Sequence, residues 1–298
     1  MDDLYPTRGD YALEIERADP IVQEAIRGNP GAELPAKLER YAKDGFLFLP
    51  ELFPAAETES LLAEAERLRA ESLASPTAEI IREGGDGDVR SIFAIHRTSK
   101  TYAEITRDPR LLDLVTTILG DDVYVHQSRI NYKPAFCGRE FFWHSDFETW
   151  HAEDGMPRMR AVSVSISLTP SYATNGPLML IPGSQDTFVS CVGETPEDHY
   201  KKSLVKQVYG TPDIECITKM AIRRGIKSPT GGAGSVVLFD CNTMHGSNGN
   251  ITPFPRTNLF IVYNAVSNQL VKPFAANKPR PEFIAAREHI EILPKRKS

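Results

Sequence analysis

Cysteine is scarce in this chain. The four present, Cys137, Cys191, Cys216 and Cys241, are widely spaced and form no CxxC pair. That pattern fits neither a disulfide framework nor a zinc ribbon and suits a reducing compartment. Long apolar runs are missing as well. No stretch reaches the roughly 18 apolar residues of a membrane span, and the N-terminus MDDLYPTRGDYALEIERAD lacks the apolar core of an export signal. The expectation is a cytoplasmic protein with no membrane partner. An excess of basic charge is also lacking. The net charge of -6 is spread along 298 residues without the basic stripe that a phosphate backbone selects, so nucleic acid is not an expected partner. The short Lys295-Arg296-Lys297 cluster reads as a solvated tail.

What remains is an ordinary globular composition, 41% hydrophobic and 25% charged, enough for a sizeable core. Helical patterns come first: Leu34 to Asp44, then Ala55 to Leu73 with Leu61, Leu62, Ala65 and Leu68 near helical spacing, then Pro109 to Leu119 stopped by Gly120. Between the first two, Gly45 to Pro50 reads as a short buried strand. From about residue 121 the character changes to short β-rich runs, Val123–Tyr132, Ala161–Leu168, Leu178–Ile181, Ser235–Phe239 and Asn258–Val266, separated by Pro, Gly and Asn. Many short strands between turn residues predict a mainly β sandwich or barrel with helices packed outside it. Residues 75–100, with Gly84-Gly-Asp-Gly-Asp88, read as a mobile loop. Residues 185–229, with a helix-like piece at Glu197–Val208, read as a long excursion between strands. No linker or repeat divides the chain. It reads as a single domain over residues 1–298: a helical part to about 120, a β core over about 121–270, and a C-terminal extension.

The chemistry concentrates in Phe141-Phe-Trp-His-Ser-Asp-Phe-Glu-Thr-Trp-His151. On a strand, His144 and Asp146 would point to one face and converge on one point. A second histidine from a distant strand would complete a facial triad that leaves positions on iron(II) open. The candidates are His96, His126, His151, His199, His245 and His289. His245 is the best placed, because it follows a β-run and because Arg256 leads the next strand. An HxD pair alone is a weak pattern, and a turn histidine beside an acid is its bland reading. The downstream His and Arg, each beside a predicted strand, raise its specificity.

A 2-oxoglutarate cosubstrate explains the arginine. Its keto-acid end would chelate iron, and its far carboxylate would need a cation such as a planar guanidinium, which can donate two parallel hydrogen bonds. A replaceable surface ion pair is the competing reading of Arg256. Two strands add polar faces. Gln127, Arg129, Asn131 and Lys133 share one face, with Val125 upstream on the same side, and Ser163, Ser165 and Ser167 share another. Such a face meets either solvent or a ligand cavity.

These residues, with Asn175-Gly-Pro-Leu-Met-Leu-Ile-Pro-Gly-Ser184 between them, resemble the phytanoyl-CoA dioxygenase family of iron/2-oxoglutarate enzymes. The stretch from Phe142 to Ser163 closely resembles the signature of its ectoine hydroxylase branch, and the likeness runs from about residue 40 to the Pro-rich C-terminal segment. The resemblance implies a double-stranded β-helix (jelly-roll, cupin-like) core, a homodimer, and O2-dependent hydroxylation of ectoine to 5-hydroxyectoine in compatible-solute metabolism, with succinate and CO2 as coproducts. It implies His144, Asp146 and His245 as iron ligands and Arg256 as the 2-oxoglutarate clamp, with Arg129, Asn131, Ser165 and Ser247 as neighbours. Gln127, Thr149 and Trp150 fall where ectoine would be held. Related halogenases carry a small residue in place of the aspartate, so Asp146 implies hydroxylation. Physical reasoning adds that Trp150 could offer a π-face to the ectoine amidinium. Phe260 could close the apolar side, and Arg280 could reach the site of its own or a partner subunit. Core packing for both aromatics and a surface loop for Arg280 stay open. Rival readings are a hydroxylase of another small zwitterion or amino acid, a non-catalytic cupin-like binding protein, and a zinc hydrolase. The last lacks a general base at a recognised spacing.

Overall fold

The computed structural model describes residues 2–23, 33–75, 77–82, 87–197, 200 and 210–294. In chain order its strands are β1 (Glu14–Glu16), β2 (Phe46–Leu49), β3 (Ile80–Arg82), β4 (Val89–Phe93), β5 (Val123–Lys133), β6 (Phe141–His144), β7 (Ala161–Ser167), β8 (Leu178–Leu180), β9 (Thr187–Val189), β10 (Val236–Asp240), β11 (His245–Ser247) and β12 (Arg256–Ala265). The α-helices are α1 (Glu33–Asp44), α2 (Ala55–Ala74), α3 (Ile95–Thr98), α4 (Lys100–Ile105), α5 (Pro109–Leu119), α6 (Asp146–Thr149) and α7 (Ile214–Arg224), and a π-helical turn, Trp150–Asp154, continues α6.

Seven strands form one antiparallel sheet in the order β2-β10-β7-β12-β5-β4-β3, and β6-β11-β8 form a smaller one. The alternating sequences give the large sheet two unlike faces. Val162, Val164, Ile166, Leu238, Leu259 and Ile261 join Leu61, Ala65 and Leu68 of α2 and Leu111, Val115 and Ile118 of α5 in the main core. Burial of each such side chain contributes roughly 1.5–3 kcal/mol. The opposite face carries the serines of β7 and the long polar side chains of β5. It is closed by the small sheet, through Leu178 and Leu180 of β8 packed with Phe46, Val237 and Phe239. This is the expected mainly β, jelly-roll core with helices on its outside. A ribbon of β1 and β9 lies apart from both sheets. Among the described residues, no helix is long and apolar enough to cross a membrane.

Local chemistry sets the boundaries. α5 begins where the Asp108 carboxylate accepts from the Arg110 backbone N–H and Pro109 supplies its preset φ; it ends at Gly120, whose φ of 62° is left-handed. Residues 75–100 depart from the expected loop. β3 and β4 form a hairpin that extends the large sheet, and β4 is buried along its whole length. Arg90 and Ser91 gave Val89–Phe93 a polar look, while turn residues dominated the hairpin tip, of which Gly84, Gly85 and Asp86 lie outside the described residues. In the expected excursion, α7 starts at an Asp213 cap. The helix-like piece Glu197–Val208 falls mostly outside the described residues, as does the Lys295-Arg296-Lys297 tail.

Candidate active site

β6 ends at His144, and the chain does not run on as a strand to Asp146 as the period-2 reading predicts. Ser145 caps α6, its hydroxyl accepting from the Glu148 backbone N–H at 3.4 Å, so Asp146 opens a helical turn. The turn aims the carboxylate back at the strand, leaving His144 Nε2 3.7 Å from Asp146 Oδ1. β11 pairs with β6 so that His245 lies opposite His144, with ring centroids 4.2 Å apart. His245 Nε2 is 3.9 Å from Asp146 Oδ2, and the three donor atoms lie within 4.8 Å of one another.

Backbone carbonyls orient both imidazoles. Nδ1 of His144 lies 2.7 Å from the Phe142 carbonyl, and Nδ1 of His245 lies 2.9 Å from that of Thr243. A carbonyl can only accept, so each proton sits on Nδ1 and each Nε2 lone pair faces the shared point. Burial, followed by the neighbouring His245, pushes the His144 pKa down to about 4, which leaves that lone pair free at neutral pH. Burial works to raise the Asp146 pKa, but His245, His144 and Arg129 outweigh it and hold the carboxyl below its ordinary value. The Ser163 hydroxyl donates to Asp146 Oδ2 at 3.2 Å. Two imidazoles and one carboxylate on one side of a point fit iron(II) with open positions.

The other described histidines are engaged elsewhere. His126 packs edge-on to Trp150, and His151 stacks 4.0 Å from Phe274. His96 sits on the Ser128 hydroxyl, and His289 is exposed. His199 lies outside the described residues.

Beside the ligands lies a cleft lined by Arg129, Asn131, Lys133, Phe141, Ser247, Arg256 and Phe260 together with both histidines. Strand register builds it. Lys133, Asn131 and Arg129 of β5 stand opposite Arg256, Asn258 and Phe260 of β12, with Ser165 of β7 on the far side of Phe260. Val125 departs from this face. The β5–β12 pairing shifts register between Val262 and Tyr263, and that bulge sends Val125 into the helix-side core.

Arg256 is only 7% exposed, and its Nη1 donates to Asn258 Oδ1 at 2.8 Å. The Asn258 amide donates in turn to Ser165 Oγ at 3.0 Å. Arg256 Nε is buried without a partner, and burial alone lowers its pKa to about 10. Arg129 donates from Nη1 to Gln127 Oε1 at 2.9 Å, its Nε is likewise unpartnered, and burial lowers its pKa against the pull of Asp146. Lys133 donates to Ser247 Oγ at 2.8 Å and to the Asn248 carbonyl. A buried guanidinium without a counter-charge is costly. Arg129 has Asp146 as its counter-charge, whereas Arg256 has none among the described residues, so the Arg256 end of the cleft asks for an anion.

The residues expected at the substrate divide into two groups. Phe260 lines the cleft, and Gln127 adjoins it through Arg129 while donating to the Ile284 carbonyl at 2.7 Å. Thr149, Trp150 and Arg280 gather instead around the turn after Asp146. The Thr149 hydroxyl donates to Glu148 at 3.4 Å, and Trp150, 3% exposed, packs with Tyr5, Phe147 and Met156. Arg280 is no surface-loop residue. It is buried against Asp154, with Nε 2.8 Å from Oδ1 and Nη2 2.5 Å from Oδ2.

The model of the phytanoyl-CoA dioxygenase (PhyH) family matches residues 41–258. The chain belongs to this family. Curated relatives include the ectoine dioxygenase of Sphingopyxis alaskensis, 53% identical over 96% of this chain and 94% of that one. The ectoine dioxygenase of Stutzerimonas stutzeri is 52% identical over 98% and 96%. Among solved structures, EctD from S. alaskensis with 2-oxoglutarate and 5-hydroxyectoine superimposes with a TM-score of 0.87 at 45% identity, covering 100% of this chain and 99% of that one. The same protein with bound Fe gives 0.86. The epimerase SnoN, 19% identical with a TM-score of 0.63 over 88% of this chain and 99% of that one, shares the fold alone.

Sequence reasoning placed Lys133 on the polar face of β5 without a role and passed over Asn258 and Phe141 as parts of the cleft. Strand parity carried the signal for Asn258 as it did for Lys133, since Asn258 follows Arg256 by one period. The acids of the turn, Glu148, Glu153 and Asp154, had no local signal, because their partners come from the two ends of the chain.

Proposed function

We propose that this family member is an iron(II)- and 2-oxoglutarate-dependent ectoine 5-hydroxylase, one dioxygenase domain over residues 1–298. The metal ligands are His144, Asp146 and His245. Arg256 clamps the far carboxylate of 2-oxoglutarate, with Arg129, Asn131, Ser165 and Ser247 around it. Gln127, Thr149, Trp150, Phe260 and Arg280 serve ectoine. The single observation that carries the reading is the meeting of a two-histidine, one-carboxylate cluster with the uncompensated Arg256 in one cleft. The ectoine dioxygenase relatives support the choice of substrate.

Iron(II) supplies the oxygen-activating chemistry, 2-oxoglutarate leaving as succinate and CO2 while one oxygen atom enters ectoine. The chain itself orients and excludes. The Phe142 and Thr243 carbonyls hold the imidazole tautomers, and Ser163 steadies Asp146. Asn258 fixes the plane of the Arg256 guanidinium, so that the dicarboxylate enters in one direction. Phe260, beneath Arg129 at 5.2 Å, keeps the inner wall apolar. The signature that implies ectoine also implies a homodimer, which light scattering checks, and the sparse, unpaired cysteines suit a cytoplasmic setting. Oxygen uptake tests the function. With iron(II) and 2-oxoglutarate present, uptake should accelerate sharply on addition of ectoine, and ectoine-independent uptake, or acceleration by a different zwitterion only, would overturn the assignment.

A further inference from the structure

The turn that follows Asp146 carries three acids, Glu148, Glu153 and Asp154, each no more than 1% exposed. Carboxylates this close together stay buried and ionised only with cations between them. The cations come from opposite ends of the chain. From the N-terminal segment, Arg8 grips Glu148 with two parallel hydrogen bonds, Nε to Oε1 at 2.6 Å and Nη2 to Oε2 at 2.9 Å. The same Nη2 reaches Glu153 Oε1 at 3.1 Å, and Nη1 donates to Thr195 Oγ1 at 3.0 Å. From the C-terminal extension, Arg280 grips Asp154 while its Nε lies 3.7 Å from Glu153 Oε2. Arg287 donates to the Asp154 backbone carbonyl. The result is an alternating buried series, Glu148, Arg8, Glu153, Arg280, Asp154, with Glu153 shared by the two arginines.

Two further features mark Arg8 as more than a tether. Its φ of 61° is left-handed, a conformation that a non-glycine residue keeps only where its surroundings fix it. Here they do. Its N–H donates to the Cys191 carbonyl at 2.8 Å, and the Thr7 hydroxyl donates to Glu148 Oε1 at 2.7 Å. The clamped element is a single π-helical turn, a distortion concentrated at functional sites. It bears Trp150 and follows Thr149, and its far clamp is Arg280.

We propose that Arg8 is a positioning residue for substrate: by bridging Glu148 and Glu153, it presets Thr149, Trp150 and Arg280 before ectoine arrives. The inference rests on the proposed ectoine hydroxylation and adds to it a requirement for the N-terminal segment.

Arg8→Lys keeps the charge but not the planar fork that spans two carboxylates. Its KM for ectoine should rise by about tenfold, since small misplacements of a binding group are felt strongly. Its kcat should stay within about twofold, and its iron content and KM for 2-oxoglutarate should match wild type, because neither site touches Arg8. Glu153→Gln, which removes the shared charge, should show the same split and decides the matter if Arg8→Lys does not fold. A folded variant with wild-type KM for ectoine and only a lower melting temperature would make Arg8 a structural tether and overturn the proposal. So would parallel losses in iron content and in both KM values. Wild-type protein that leaves ectoine unmodified would instead overturn the functional reading.

Discussion

Arg256 carries its charge into the protein with no carboxylate among the described residues to meet it, and it is the proposed clamp for the far carboxylate of 2-oxoglutarate. Charge-assisted hydrogen bonds of this kind contribute about 1.5–3 kcal/mol, so Arg256→Ala should raise the KM for 2-oxoglutarate by about tenfold to a hundredfold. Titration of succinate formation against 2-oxoglutarate checks this, with iron content unchanged. His144→Ala and Asp146→Ala should behave differently, losing iron and turnover together, as metal analysis of the purified variants would show. At this scale the sequence was informative wherever strand parity applied. Arg256, Asn258 and Phe260 share a face because every second residue does. Arg280 was open between surface and site, since its partner Asp154 lies far off in the chain and only the fold brings the pair together.

Among elements, the strands with clear alternation were readable nearly to the residue. Val123–Lys133, Ala161–Ser167 and Arg256–Ala265 match the runs expected for β5, β7 and β12. Three features were not. β4 is buried on both faces and so shows no alternation, and the step from β6 into α6 depends on a capping serine that a strand reading overlooks. The β5 bulge is a third case, since one extra residue inverts parity upstream of Gln127. Gly155 ends the π-helical turn at a φ of 75°, and an added Cβ would meet the Val271 carbonyl oxygen at 2.1 Å. Gly155→Ala should therefore destabilise the protein by on the order of 1–3 kcal/mol, read as a lower urea midpoint. Leu238→Ala, in the helix-side core, should cost about 2–5 kcal/mol in the same assay.

For the whole molecule, the two chain ends close over one turn, and their ion pairs make stability depend on acid. Burial works to raise the Asp154 pKa, but Arg280 and then His126 bring it down to about 2 from an ordinary 3.8. A carboxyl depressed in the folded state contributes stability that is fully present above pH 3.8 and is lost as pH falls towards 2. For a group buried this deeply the contribution is about 2 kcal/mol. Asp154→Asn should be less stable at neutral pH and should lose less stability through that acid window, as denaturant midpoints at stepped pH would record. The mainly β class followed from the short β-runs and its jelly-roll form from the family resemblance, whereas the docking of the two end segments followed from nothing local.

The most direct test of the account is anaerobic reconstitution with iron(II), 2-oxoglutarate and ectoine, followed by isotopically labelled oxygen gas and mass spectrometry. The account predicts ectoine heavier by one labelled oxygen atom, formed in equal amount with succinate. Succinate released while ectoine stays unlabelled, or ectoine bound without any oxygen consumed, would contradict it.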